Sequence, residues 1–220
     1  MSQPPGSPTL AQARALLLND KPTSPLITDC TQARVELSHA TFDNWVSKTV
    51  NFLQMEADLE PGATVSLALP LHWMSAVWLV AAWESGADVV LGAETADLRV
   101  GTDAGSEVVV VPDPLGMRPP PAGVDAEWFF PADVRAMPDQ RVLPPPPPGG
   151  MAGLAAPRLA QAAAEYADVV GLTAGGRLLT ALPLLDLAGV LAAIGAPLAA
   201  RAGVIYGTAA GQEAPTAVAG

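Results

Sequence analysis

The stretch LEPGATVSLALPLHW, residues 59–73, decides the fold because the chain contains a second version of it, LTAGGRLLTALPLLD at residues 172–186. Each version has a glycine turn, an apolar run that predicts a buried strand, and the triplet Leu-Pro-Leu, at 69–71 and 182–184. Repetition of the same elements in the same order indicates a shared supersecondary unit. The sequence therefore predicts two related halves.

The residues after each triplet extend the repeat. LHWMSAVWLVAAWESG predicts an apolar helix and ADVVLG, at 87–92, a second strand; the second half continues in the same way to VIYG at 204–207. A strand, a helix and another strand in this order favour parallel pairing. Trp73, Trp78 and Trp83 do not share one helix face, which predicts burial on all sides. We therefore expect an α/β fold of two related strand-helix-strand lobes with a mainly parallel sheet.

The remaining segments predict the domain organisation. A short helix at 11–18 and a hairpin of PLITDC and RVELS precede a long amphipathic helix that Ser38 caps, with His39 and Asn51 expected to face solvent. The predicted units are a first α/β lobe with the N-terminal hairpin at 1–142, a Pro/Gly-rich spacer at 143–153, a second α/β lobe at 154–207 and a disordered tail at 208–220.

Composition argues against several classes of function. The formal charge of −11 would repel nucleic acid and anionic membrane surfaces. One cysteine and two histidines exclude an internal disulfide and are poor material for a metal site. Prolines and charges interrupt the apolar run 178–207, which favours burial over a membrane span. The N-terminus lacks a secretory pattern, so we expect a cytoplasmic protein, and the excess of Arg over Lys indicates a GC-rich bacterial source.

Two segments carry a resemblance to a known superfamily. Residues 35–92, with LEPGATVSLALPLHW and GADVVLG, are similar to the early helix, the L-x-P-G-D-x-V-A-L-x-L-P-N strand and the G-A-x-x-V-P-L strand of adenylate-forming enzymes, which include acyl-CoA synthetases and luciferases. Residues 155–207 resemble that superfamily's D-x-x-L-x-x-L-P-L-F-H-x-x-G segment and the strand after it. The resemblance covers the N-terminal portion of such enzymes and implies a truncated homologue with their scaffold.

The resemblance also implies which catalytic groups are absent. Where the superfamily has its phosphate loop, T-S-G-T-T-G-x-P-K-G, this chain has PPPPPGGMAGLAA at 144–156, without Ser, Thr or Lys. Asp186 stands where the superfamily's P-L-F-H has its histidine, so anionic acyl substrates would be repelled. The chain ends at Gly220, before the superfamily's ribose-binding aspartate and catalytic lysine. We therefore expect no adenylation, no catalytic residue and no cofactor. The proline run is interpreted as a stiff spacer, with a docking ligand for an aromatic groove as the alternative.

Two sets of residues are candidates for a surviving function. His72, Pro183 and Asp186 follow the two related strands and would border a residual ligand cleft, or would serve as caps and core residues. Trp128, Phe129 and Phe130 would contact a protein partner, or would hold their loop on the core. The sequence thus predicts a non-catalytic protein-interaction or scaffolding module, with a homodimer as the simplest assembly. The alternative is a cryptic binding protein or enzyme that takes an acyl group or nucleotide between the lobes.

Overall fold

The computed structural model describes residues 8–208 and 217–219. The helices are α1 (Leu10–Asp20), α2 (His39–Met55), α3 (Trp73–Glu84), α4 (Ala156–Val169), α5 (Leu187–Val190) and α6 (Ala196–Ala200), with a π-helical turn over Leu191–Gly195 between the last two. The strands are β1 (Pro25–Asp29), β2 (Val35–Ser38), β3 (Thr64–Ala68), β4 (Asp88–Leu91), β5 (Leu98–Gly101), β6 (Val108–Val110), β7 (Trp128–Phe130), β8 (Arg177–Thr180), β9 (Gly203–Tyr206) and β10 (Ala217–Ala219).

These strands form two five-stranded sheets. The first sheet has the order β4-β3-β5-β6-β7, and all its pairs are parallel. The second sheet has the order β10-β8-β9-β1-β2, and only β1 and β2 pair antiparallel. The fold is α/β with mainly parallel sheets, as the sequence predicts.

The predicted repeat is present in both sheets. β3 pairs with β4 in parallel across α3, and β8 pairs with β9 in parallel across the helical segment 187–200. Val65 and Leu178 lie at equivalent places in the two strands, and both are fully buried. Buried apolar strands of this kind are typical of parallel sheets that helices cover. The prediction of two buried strands that lead through Leu-Pro-Leu into a buried helix is confirmed.

The N-terminal hairpin belongs to the second sheet, which corrects the boundary expected at residue 142. Ile27, Thr28 and Asp29 of β1 pair in parallel with β9. All three side chains are buried, and β1 has β2 on its other side, so β1 is an interior strand. An interior strand needs hydrogen-bonding neighbours on both sides, and β9 supplies the second one.

The predicted tail also needs a correction. Ala217–Ala219 form β10, which pairs in parallel with Leu178–Thr180 of β8. β8 has β9 on one side, so its other edge offers unpaired backbone groups that an extended segment can bond. Residues 209–216 and 220, which the prediction of a disordered tail also includes, lie outside the described residues.

Helix α1 joins the two halves. α1 contacts α2 and α3 of the first half and α4 and α6 of the second. Every residue of α3 is buried, including Trp73, Trp78 and Trp83, as predicted. No helix in the described part of the chain has the length and apolar character needed to cross a bilayer.

Two residues of α2 are buried, although the sequence places them on its polar face. Asn51 is fully buried and bonds to a loop: its Nδ2 donates to the carbonyls of Pro138 (3.0 Å) and Gln140 (2.8 Å), and its Oδ1 accepts from the N–H of Val142 (3.0 Å). His39 is only 5% exposed. Helical periodicity did not reveal these contacts because their partners lie far along the chain.

Candidate functional site

The Pro/Gly-rich segment 143–153 lies against the first half of the fold. The N–H of Gly149 donates to the carbonyl of Trp83 (2.8 Å), and the N–H of Gly150 donates to Oδ1 of Asp88 (2.9 Å). A Cβ atom on Gly149 would lie 1.9 Å from the carbonyl oxygen of Ala87, so only glycine permits this approach. The segment is therefore fixed to the turn between α3 and β4.

Protein acceptors already occupy most backbone donors of this segment. The five prolines at 144–148 have no N–H group. Besides the two glycine donors, Met151 donates to Leu154 (2.9 Å), Ala152 to Val89 (3.3 Å) and Leu154 to Met151 (2.8 Å). A phosphate loop requires converging backbone N–H groups that point at the ligand. In the Pro/Gly-rich segment, few backbone N–H groups remain without a protein acceptor.

His72 and Asp186 have equivalent structural roles as N-caps. Nδ1 of His72 accepts from the N–H of Met74 (3.3 Å) at the start of α3. Oδ1 of Asp186 accepts from the N–H of Gly189 (2.9 Å) at the start of α5. The capping alternative considered for these residues accounts for both positions. In the part of the chain that the structure describes, no hydrogen bond or ion pair joins the two side chains.

Burial favours the neutral form of the His72 imidazole. The side chain is 2% exposed, and this burial lowers the pKa of His72, although the charges of Asp29 and Asp113 act in the opposite direction. Because Nδ1 accepts a hydrogen bond, the neutral ring carries its proton on Nε2, which lies 3.7 Å from Oδ2 of Asp29. The same Oδ2 accepts from the N–H of Trp73 (2.8 Å). Asp29, at the end of β1, thereby links the second sheet to the start of α3.

An apolar cleft lies between the halves, close to the predicted site but on different residues. Its volume is about 430 Å³, and it lies at the carboxyl ends of β3, β4 and β5, where open α/β sheets commonly bind ligands. Its lining carries no charge: Leu67, Ala68, Leu69, Pro70, Leu91, Gly92, Thr102, Leu184 and Leu185. Pro183 and Asp186 are exposed beside Leu184, and His72 lies below the surface in its capping position. The prediction of a ligand cleft at His72, Pro183 and Asp186 stays a prediction.

The aromatic cluster of residues 128–130 forms strand β7 instead of an exposed loop, and this is a correction. Phe130 is fully buried, with its ring centroid 5.5 Å from that of Trp78. Trp128 packs edge-on against Phe52, with centroids 5.4 Å apart, and Phe129 is half-buried. β7 completes the first sheet by pairing with β6, which turns alternate side chains into the core. Phe130 is therefore a core residue and Trp128 is a half-buried residue packed against the core, so neither side chain is freely exposed for a partner contact.

The structure contains a buried ionic cluster that sequence reasoning missed. Arg14, Asp43, Glu84 and Arg141 line a groove of about 550 Å³ beside the proline run. Arg14 bonds Glu84 at two points and also pairs with Asp43, and Arg141 pairs with Glu84. Burial alone would lower the pKa of Arg14, but the two carboxylates raise it above its ordinary value. Glu84 was the available signal, because it is the one charged residue in the otherwise apolar helix α3.

Metal ligation has no support in the described residues. Within 8–208 and 217–219, no group of three or more His, Cys, Asp or Glu side chains is placed to hold a metal ion.

The two sheets and their shared helices define a class of fold, that of the N-terminal part of adenylate-forming enzymes. No known family profile matches the chain. A Mycobacterium tuberculosis protein described as "TIGR03089 family protein" is 33% identical over 186 residues, which cover 74% of each chain. The chain belongs to this TIGR03089 family.

Solved structures confirm the fold. The AMPPNP-bound nonribosomal peptide synthetase FmoA3 aligns with a TM-score of 0.65 at 16% identity, over 93% of this chain and 23% of that one. A Mycobacterium tuberculosis fatty acyl CoA synthetase aligns with a TM-score of 0.64 at 15% identity, over 90% of this chain and 44% of that one. The inhibitor-bound N-terminal domain of FACL13 from the same organism gives 0.65 at 15% identity, with coverages of 90% and 56%. The chain thus spans less than two thirds of each solved chain.

Proposed function

We propose that this chain is a non-catalytic member of the adenylate-forming superfamily that acts by binding. One observation carries the proposal: in the segment that stands in place of a phosphate loop, five prolines lack N–H groups and most of the following N–H groups bond to the protein itself. The same segment has no hydroxyl or ammonium group to replace those donors. The segment therefore offers few hydrogen-bond donors to nucleotide phosphates.

A binding and exchange experiment tests this proposal. We expect Mg-ATP to give no heat of binding and no thermal stabilisation, since a ligand that binds only the native state raises apparent stability. We also expect no carboxylate-dependent exchange of pyrophosphate into ATP across a panel of short and long fatty acids. An active acyl-CoA synthetase serves as the positive control and boiled protein as the blank. Exchange above the blank would contradict the proposal.

The loop 115–117 is the better candidate for a protein contact. Leu115 is 72% exposed and Met117 is 64% exposed, yet the backbone between them is fixed. Oδ2 of Asp113 accepts from the N–H of Met117 (2.7 Å), and Nη2 of Arg135 donates to the carbonyl of Gly116 (2.6 Å). A loop whose backbone is already fixed loses little backbone conformational entropy on association. This loop replaces the aromatic cluster as the proposed contact.

The occupant that we propose for this loop is a second copy of the chain, since twofold dimers are the commonest closed assemblies. Light scattering across a wide concentration range should then show a dimer, and the double variant Leu115→Ser/Met117→Ser should shift the molecule to a monomer. Val169→Ser is the matched control, because Val169 is 86% exposed on α4, away from this loop. A dimer that persists in both variants would show that loop 115–117 is not the interface. A native protein that is monomeric at every concentration would contradict the proposed dimer.

The apolar cleft favours a second candidate function, the binding of a small apolar ligand. Its uncharged lining suits an acyl chain better than a nucleotide. Displacement of a fluorescent fatty alcohol by uncharged acyl esters measures such binding directly. Leu185→Asp should abolish it, because Leu185 lines the cleft, whereas Val169→Asp introduces the same charge elsewhere and should not. Equal binding by both variants would show that the ligand does not bind in this cleft.

A further inference from the structure

A third cavity lies at the edge of the second sheet where the parallel strands β1, β8 and β9 begin. Its volume is about 280 Å³. Pro25 begins β1, Arg177 begins β8 and Gly203 begins β9, and all three residues line it. Gly175 and Gly176 form another part of the wall. Neither the ionic cluster nor the apolar cleft shares a residue with this cavity.

The charge of this cavity is opposite to that of the protein. The chain has 22 acidic residues and 11 Lys and Arg residues, yet the lining includes Lys21, Arg177 and Arg201 and no carboxylate. The groove of the ionic cluster, in contrast, has three carboxylates for two arginines. A basic pocket in an acidic protein concentrates anions locally against the overall field.

The donors of the cavity come from side chains. The N–H groups of Gly175, Gly176 and Gly203 already bond to backbone carbonyls. Within residues 8–208 and 217–219, the side chains of Lys21 and Ser24 make no hydrogen bond or ion pair. An ammonium and a hydroxyl at one cavity wall are thus available to a ligand.

Arg177 and Arg201 add positive charge and keep their own partners. Nη2 of Arg177 donates to Oγ1 of Thr28 (2.5 Å) and lies 3.5 Å from Oε1 of Glu36. Arg201 pairs with Asp20. A guanidinium has five N–H donors, so Arg201 can bond a further acceptor while its pair with Asp20 persists, and Arg177 contributes positive charge.

His39 places a titratable ring in the wall of the cavity. The residue is 5% exposed and lines the cavity, whereas its Nδ1 is fully enclosed and has no hydrogen-bond partner among the described residues. Burial lowers the pKa of His39, and the charges of Lys21 and Arg14 lower it further. An anion in the cavity would counter the surrounding positive charge and favour the imidazolium form.

We propose that this cavity binds a phosphate-sized dianion, with Lys21, Ser24, His39, Arg177 and Arg201 around it. The cavity is at the low end of the range for small-molecule pockets, which suits a phosphate group or a small phosphate monoester better than a nucleotide. The dianion would pair with Lys21 beside two arginines that each keep one carboxylate partner, and it would supply acceptors for the side-chain donors of Lys21 and Ser24. This site is independent of catalysis and of the proposed dimer.

Calorimetry on the full chain tests the site, with inorganic phosphate, sulfate and glycerol 3-phosphate as probes at constant ionic strength. We expect saturable binding of phosphate or its monoester, and Lys21→Gln should weaken it about ten- to a hundredfold, the effect of one lost hydrogen bond between charged groups. Arg158→Gln is the control, because Arg158 lies exposed on α4 and contacts Gln161. Absence of binding by all three anions, or equal weakening by both variants, would overturn the proposal.

The imidazole of His39 provides a local readout. The chain has two histidines, so His72→Asn leaves a single set of imidazole resonances to follow by NMR. Sulfate, which stays dianionic above pH 5, should shift the His39 titration to higher pH and should bind more tightly at pH 5.5 than at pH 8. The charged groups around the ring are Lys21, Arg14, Arg177 and Arg201, with Asp20 and Glu36 paired to the last two. An unchanged His39 titration at saturating sulfate would contradict the assignment.

Discussion

Arg14 and Glu84 form a two-point ion pair in the interior, although 70 residues separate them in the sequence. Nε of Arg14 lies 2.7 Å from Oε1 of Glu84, and Nη2 lies 2.9 Å from Oε2. The contact joins α1 to the end of α3, and Arg141 extends it to the chain that leads into the proline run. One carboxylate therefore holds two arginines and three segments together.

Glu84→Gln should destabilise the protein strongly. The variant leaves Arg14 and Arg141 without their shared carboxylate, and removal of one partner of a buried ion pair costs about 3–5 kcal/mol. Urea denaturation followed by tryptophan fluorescence measures the loss. Arg34→Gln is the control, since Arg34 and Glu36 form a largely exposed pair that is worth about 0–1 kcal/mol. Equal losses in the two variants would show that the buried cluster stabilises the protein no more than the exposed pair of Arg34 and Glu36 does.

Gly149→Ala should release the Pro/Gly-rich segment from the first half. The added methyl group would lie 1.9 Å from the carbonyl oxygen of Ala87, a backbone atom that cannot move alone. We expect a loss of about 1–3 kcal/mol and faster proteolysis within the segment. Gly105→Ala is the control, because the new methyl group there meets only the side chain of Asp103 on an exposed turn. A Gly149→Ala protein as stable and protease-resistant as the control would refute the docking.

Phe130 and Phe129 should respond differently to truncation. Phe130→Ala removes a fully buried ring that contacts Trp45 and Trp78, and such changes cost about 3–5 kcal/mol. Phe129→Ala truncates a half-buried neighbour on the other face of β7 and should cost less. Thermal and urea unfolding of both variants measure the difference. An equal or smaller loss for Phe130→Ala than for Phe129→Ala would contradict the burial of the Phe130 ring.

The sequence predicted the repeated unit because its signals are local. Apolar runs, glycine turns and the Leu-Pro-Leu triplets determine β3, α3 and β4 and their counterparts without information from distant residues. The burial of Trp73, Trp78 and Trp83 followed from their spacing along one helix. Such features depend on short-range periodicity, which a single sequence displays directly.

The errors arose where long-range pairing decides the structure. β1 joins β9 across most of the chain, and no local pattern specifies that partner. Asn51 looks like a surface residue by helical periodicity, but a loop about 90 residues further along the chain covers it, and His39 is buried although it was expected to face solvent. The candidate pocket residues His72 and Asp186 were correctly assigned as caps in the alternative interpretation, because a side-chain cap is a local contact.

Both histidines should make the protein less stable as the pH falls from 7.5 to 5. Burial lowers the folded-state pKa of His72 and of His39, whereas the unfolded chain keeps a value of about 6.5. The unfolded state therefore binds more protons below pH 6.5. The contribution of the two neutral histidines to the free energy of unfolding is complete above that pH and is lost as the pH falls towards the folded-state pKa values.

Asn is a good N-cap, so His72→Asn removes the titration and retains the cap of α3. Urea denaturation at pH 7.5, 6.5 and 5.5, in buffers free of phosphate and sulfate, should show a falling stability for the native sequence. The double variant His39→Asn/His72→Asn should show a nearly flat profile over the same range, because most carboxylates titrate below pH 5. A native protein whose stability is constant or rises towards pH 5 would show that the two imidazoles are not held neutral by burial.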